Sequence, residues 1–282
     1  MKNKFLLRAS LCTVLAASIF FSCTKKNDVA QTSQDEVSTA VKQKIAELGF
    51  STDQVRKTDG GYLVEGDILL TEANLSEASS SPVLRIAENE QYRTTNLVKN
   101  LPRTITVSVS NLPTVYTTAA TNAVARYNQL NLTLKFQMVS SGGQINIVGF
   151  NQGPSGGYIT LGSGGFPTTS GNPYSQIRMN TNTAAYGTNP NVGYLTSVLQ
   201  HEIGHCIGFR HTDYMNRAYS CGGTATNEGS TYSSSNPQNY PGAVQIPGTP
   251  STPDAGSFML ACSNGADRTF NANDVVALNY LY

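Results

Sequence analysis

"HEIGHCIGFRHTD", residues 201–213, holds all three histidines of a chain of 282 residues. His201 and His205 stand four apart, a spacing that stacks two side chains on one face of an α-helix at about 3.6 residues per turn. Gly208 follows the pair, and a glycine just past a helical run takes the left-handed backbone that turns a chain sharply. That turn brings His211 back toward the pair, so three imidazoles converge on one point. Three neutral imidazoles suit zinc and leave its fourth position open for water, the plan of a catalytic site. Glu202 directly follows the first histidine, where the helix aims its carboxylate at that water as a general base. The whole pattern HExxHxxGxxH needs a helical pair, a turn glycine and a third ligand together, so it is far more specific than a bare HExxH. A structural zinc site commonly closes with a cysteine and has no use for the glutamate. Cys206 is the nearest thiol, but it lies about 100° around the helix from His205 and points elsewhere.

Outward from the motif, Asn189 and Pro190 read as the N-cap and first residue of the helix. Val192, Leu195, Leu199, Ile203 and Cys206 recur at helical spacing and form its core stripe. The histidine face lies well over a quarter turn from that stripe and is expected to open on a cleft. Cys206 then reads as a small core residue, neither ligand nor nucleophile.

Residues 201–211 resemble the zinc-binding motif of the metzincin metallopeptidases, and "HEIGH" with "GFRHTD" is most similar to the bacterial dual-action HEIGH metallopeptidase family. The resemblance implies a methionine turn beneath the metal, which "SFMLAC" at 257–262 supplies with Met259; Met215 in "DYMN" is the rival. It also implies a C-terminal helix, matched by "FNANDVVALNYLY" at 270–282 with Asn271 or Asn273 as cap. Some clan members carry a tyrosine two positions after the methionine; here that position is Ala261. Asp213 reads as a group that orients a histidine from behind or caps a turn. Between His211 and Met259 the chain is rich in Ser, Gly, Asn, Pro and Tyr, the composition of surface loops.

The composition excludes other classes. Hydrophobic residues make up 39% of the chain, enough for a core, while charged residues make up 13% and the net charge is +1. No basic run outside the N-terminus points to nucleic acid. "MKNKFLLRASLCTVLAASIFFSC", residues 1–23, has the basic start and short apolar stretch of an export signal, too short for a transmembrane helix of roughly 20 residues. It resembles a bacterial lipoprotein signal with Cys23 as the lipidated residue, which implies an exported protein at the outer membrane or cell surface, or otherwise a secreted one. Removing Cys12 and Cys23 leaves Cys206, Cys221 and Cys262. With Cys206 in the helix core, Cys221 and Cys262 are the expected disulfide, tying the loop region to the methionine turn.

Three segments follow: a signal at 1–23, a prosegment and linker at 24–91, and a catalytic domain at 92–282. In the second, "DEVSTAVKQKIAELGF" predicts a helix, "GGYLVEGDILLT" a turn and a strand, and "SEASSSPVLRIAENEQ" a linker. This is too little to build a core alone, so it is expected to fold against the catalytic domain. "VEGD" at 64–67 resembles the aspartate switch in propeptides of astacin-like metzincins, which makes Asp67 the candidate latency ligand; a strand interrupted by a turn is the simpler reading. In the third segment, "TITVSVS" reads as a strand, "TVYTTAATNAVARYNQL" as a helix, and "LTLKFQMVS" and "GQINIVGF" as strands. The resulting expectation is an α+β, metzincin-like α/β sandwich with a mixed, partly parallel sheet. The stretch 151–175 reads as loop, a place for unassigned calcium, and "SQIRMN" at 175–180 as the edge strand where a peptide substrate adds. The leading function is a zinc metalloendopeptidase acting on protein or peptide substrates and anchored to a membrane by lipid. The alternative is a non-catalytic surface lipoprotein with a zinc site, and a third reading is a zinc hydrolase of non-peptide substrates.

Overall fold

The computed structural model describes residues 37–76, 91–155, 157–224, 243–250 and 252–282. The signal with Cys12 and Cys23, and most of the linker, lie outside these residues. Helix α1 (Thr39–Glu47) starts at Ser38, whose hydroxyl accepts the Val41 amide. Strands β1 (Arg56–Thr58), β2 (Gly61–Val64) and β3 (Ile68–Leu70) form an antiparallel sheet, and a short helix α2 (Glu72–Ser76) follows. "GGYLVEGDILLT" is therefore a hairpin of two strands, not one strand, with Glu65–Asp67 at its turn. Its apolar side chains gather with those of α1 around Val37, Ile45, Phe50, Val64, Ile68 and Leu70, and Phe166, about a hundred residues on, completes the cluster. The segment expected to fold against the rest of the chain thus meets it at Phe166, and residues 35–282 form one compact unit.

After the linker the chain continues with β4 (Tyr92–Arg93) and then lays down β5 (Arg103–Val109), helix α3 (Thr114–Gln129), β6 (Leu134–Met138), β7 (Ile145–Phe150), β8 (Gly162–Ser163) and β9 (Gln176–Asn180). The five-stranded sheet runs β6-β5-β7-β9-β8; its first four strands are parallel and β8 is antiparallel to β9. Alternation in β5 sends Ile105 and Val107 into the core with Ile147, Ile177 and Met179. "SQIRMN" is thus an inner strand, and the edge falls to β8, inside the stretch expected to be loop. Gly162 and Ser163 carry no hydrophobic alternation, so pattern reading passes over them.

Short α4 (Thr183–Tyr186) leads to the motif helix α5 (Val192–Ile207). Its N-cap is Asn191, not Asn189: the Asn191 side chain accepts the Tyr194 amide at 3.0 Å. Helices α3 and α5 pack on one face of the sheet, with Leu195, Leu199, Ile203 and Cys206 fully buried as expected. Gly208 ends α5 with φ 115°, and a Cβ there would stand 2.8 Å from Leu97 Cδ2. The chain then reverses into β10 (Phe209–Arg210), which pairs with β4; β11 (Val244–Gln245) pairs with the other side of β4. Between them lies α6 (Ala218–Cys221). Helix α7 (Ala272–Leu281) closes the domain under a capping box of Asn271 and Asp274, settling its cap on Asn271. Tyr282 donates its hydroxyl to the Ile207 carbonyl, pinning the C-terminus to the end of α5. Cys221 and Cys262 are joined as expected, and Cys206 is a buried free thiol.

Candidate metal centre

Two turns of α5 put His201 and His205 side by side, and the Gly208 turn returns His211 to them. The three rings stand 4.6 to 5.3 Å apart between centroids. Each helical imidazole is aimed by a backbone carbonyl: His201 Nδ1 lies 2.9 Å from the Phe258 oxygen and His205 Nδ1 lies 2.8 Å from the Phe209 oxygen. A carbonyl only accepts, so each Nδ1 carries the proton and each Nε2 is left with a lone pair. Burial first, and the neighbouring His201 next, lower the His205 pKa well below its usual value, which keeps that ring neutral.

The fourth corner comes from the hairpin turn. Asp67 Oδ2 stands 3.2 Å from His211 Nε2 and 3.4 Å from His201 Nε2, and its Oδ1 stands 3.9 Å from His205 Nε2. Metal bonds of about 2.0–2.1 Å in a tetrahedron place ligand atoms about 3.3 Å apart, close to these separations. Asp67 Oδ1, His201 Nε2 and His205 Nε2 are buried without a hydrogen-bond partner, a costly arrangement that a cation at the centre relieves. The four side chains are the one cluster of three or more His, Cys, Asp or Glu among the described residues fit to hold a metal. The calcium expectation finds no such cluster, and residues 151–175 contain no Asp or Glu. Burial pushes Asp67 toward protonation, but the imidazoles around it, His211 first, outweigh burial and hold its pKa well below the usual carboxylate range.

Glu202, from the same helix, lines the cavity that also reaches Asp67 and His201. It is 2% exposed, and its Oε2 is buried without a hydrogen-bond partner. A Cβ at Gly162 would stand 2.7 Å from Glu202 Oε1, so the carboxylate lies directly against the edge strand β8. Burial, then the negative charge of Asp67, raise its pKa well above the usual carboxylate range. A cavity of about 590 Å³ opens onto Asp67, His201 and Glu202 and runs between Leu161, Tyr194, Val198 and Leu260.

Met259 is fully buried beneath the cluster: a Cβ on Gly204, between the two helical histidines, would meet its sulfur at 2.6 Å. The Thr212 amide donates to the Met259 carbonyl, tying the turn to the residue after His211. Met215 instead receives the Tyr92 hydroxyl at 3.8 Å. Asp213 bonds no histidine. Its carboxylate accepts the Ser220 hydroxyl and the Ala261 amide, so it caps and ties loops, the other half of its expectation. The expected cleft reaches the histidine face only at His201; the Asp67 turn stands over His205 and His211, which are fully buried.

The match to known proteins follows this geometry. Residues 62–282 fit the model of the dual-action HEIGH metallopeptidases. The chain belongs to that family. It is a metallopeptidase, and the expected alternative of a non-catalytic surface protein has no observation in its favour. Two solved structures of myroilysin are similar in part: one at 15% identity over 66% of this chain and 82% of that one with a TM-score of 0.39, another at 16% over 64% and 83% with 0.36. No curated protein matches it by sequence.

Sequence reading missed the carbonyls of Phe209 and Phe258, which carry no side-chain signature. It also missed Glu65 and Arg210, partners 145 positions apart. The edge glycines Gly162 and Gly164 were hidden in a polar, glycine-rich stretch.

Proposed function

We propose that the chain is the latent form of a zinc endopeptidase in which His201, His205 and His211 hold the metal and Asp67 takes the position that an attacking water needs. The observation that carries this reading is the convergence of three Nε2 atoms and one carboxylate beside the buried Glu202. Bound zinc supplies a Lewis acid for the scissile carbonyl and lowers the pKa of the attacking water. Glu202 accepts the proton of that water and returns it to the departing amine. Phe258 and Phe209 keep the helical imidazoles in the required tautomer, and Met259 fixes the floor. A peptide runs along β8, with a side chain in the apolar cavity beside Tyr194 and Val198.

Residues 37–76 act as an inhibitory prosegment. The disulfide supports an oxidising compartment and with it export; lipid anchoring at Cys23 rests on the sequence of residues 1–23 alone. The decisive experiment is casein or quenched-peptide hydrolysis by the Asp67→Ala chain, with and without Glu202→Gln, and zinc measured in each. The proposal expects cleavage by Asp67→Ala alone and about one zinc per chain in both. Cleavage that survives Glu202→Gln removes Glu202 as the base. Cys23→Ala is expected to move the protein from the membrane to the soluble fraction; unchanged membrane association refutes the anchor.

A further inference from the structure

Arg210 sits directly before His211, and its side chain is 1% exposed. A guanidinium does not give up its charge, so a buried one needs compensation. Nη2 lies 2.6 Å from each carboxylate oxygen of Glu65, and Nη1 donates to the Gly49 carbonyl at 3.0 Å. The guanidinium also stands 4.4 Å over the Phe50 ring. These partners all come from residues 49–65. Glu65 is itself 2% exposed and accepts the Ser51 amide at 3.0 Å. It is held in the left-handed region at φ 51°, which a non-glycine residue adopts only when its surroundings over-determine it. Two positions on, Asp67 reaches the histidines.

We propose that Glu65 and Arg210 are the positioning pair of latency: a buried ion pair that registers the hairpin turn so that Asp67 stands at the histidine cluster. The proposal rests on the reading of Asp67 as the latency ligand. A single carboxylate competes with water and substrate for a metal. A second anchor two residues away confines the turn to the site and so raises the effective concentration of the carboxylate there. The pair also selects register, because a turn displaced by one residue leaves both buried charges uncompensated, and breaking such a pair favours departure by roughly a hundredfold to a thousandfold. The backbone carries the result onward: the Leu69 amide donates to Gly164 at 2.7 Å and the Gly164 amide to Asp67 at 3.1 Å, so the turn lies parallel along the edge where substrate would lie.

The test uses the full chain, metal-free and zinc-loaded, as parent, Glu65→Gln, Arg210→Lys and Asp67→Ala. Hydrogen exchange is read at the Leu69 and Gly164 amides. The Leu48 amide, bonded to Lys44 within the α1 region, and the Thr212 amide, bonded to Met259, serve as references. Glu65→Gln is expected to speed exchange at Leu69 and Gly164 about a hundredfold and leave Leu48 and Thr212 within a few-fold. The zinc-loaded variant should gain peptide hydrolysis approaching that of Asp67→Ala. Arg210→Lys, which keeps a charge and gives up the fork, should move both readouts the same way. Protection and latency unchanged in both variants overturn the proposal. So does a parallel rise at Leu48, which makes the pair a general support of the segment. A latent Asp67→Ala chain overturns the reading of Asp67 instead, and the amides still decide on the pair.

Discussion

Asp274 → Asn should change how stability depends on pH, and the structure sets the size of the change. Asp274 lies fully buried in the first turn of α7. Its oxygens accept from Gln91 Nε2 at 2.7 Å, Ser257 Oγ at 2.9 Å, Asn271 N at 3.0 Å and Phe258 N at 3.1 Å. Burial nevertheless outweighs these donors and raises its pKa from the ordinary 3.8 to about 6. Below 3.8 the carboxyl is protonated in folded and unfolded chains alike, and the fold keeps its full stability from this group. As pH rises from there through about 6, the unfolded chain releases its proton first and the folded chain must bury a charge, so stability is lost. At about 1.36 kcal/mol per pH unit, the gap between 3.8 and about 6 amounts to about 3 kcal/mol. Urea unfolding of parent and Asp274→Asn at intervals from pH 3.5 to 7.5 isolates this term, because every other titrating group is common to both. The parent curve should fall relative to the variant by about 2.4 kcal/mol between pH 4 and 7, the rest of the span lying below pH 4. Curves that stay parallel, or a parent that gains on the variant, refute the argument that burial dominates the four donors. The readout also bears on the metal centre, since Asp274 holds the Phe258 segment whose carbonyl aims His201.

Two further outcomes test the frame of the site. Cys221→Ser with Cys262→Ser opens a loop of 41 residues, and chain entropy for that length gives a loss of about 4 kcal/mol in unfolding free energy; an unchanged urea midpoint would remove the disulfide's role. Gly208→Ala forces a side chain into φ 115° against Leu97 and should cost about 1–3 kcal/mol while displacing His211, so calorimetry should find weaker zinc binding than in the parent; equal affinity contradicts the turn's role in gathering the ligands.

The sequence alone determined whatever short-range geometry governs. Four-residue spacing on a helix, a glycine at its end and a third histidine three positions later bring the three histidines together with Glu202 on the same helix, because helix pitch is the same in every fold. The Cys206 stripe and the α3, β5, β6 and β7 patterns were legible for the same reason. With Cys206 placed in the core, Cys221 and Cys262 were the expected pair against free thiols, and the structure joins them. Tertiary structure decided what depends on strand order and on contacts between distant positions. That β8 rather than β9 forms the edge is a property of the assembled sheet, since alternation records which face a strand buries and not which strand is its neighbour. Asp213 faces Ser220 and Ala261 because the chain folds back there, and nothing in its local sequence distinguishes that from a bond to a histidine. The carbonyls of Phe209 and Phe258 are backbone atoms common to all residues, so only their position makes them partners of His205 and His201. Glu65 and Arg210, 145 positions apart, became a buried pair only when the hairpin docked beside His211, because compensation of a buried charge is settled by what lies within a few ångströms of it and not by distance along the chain.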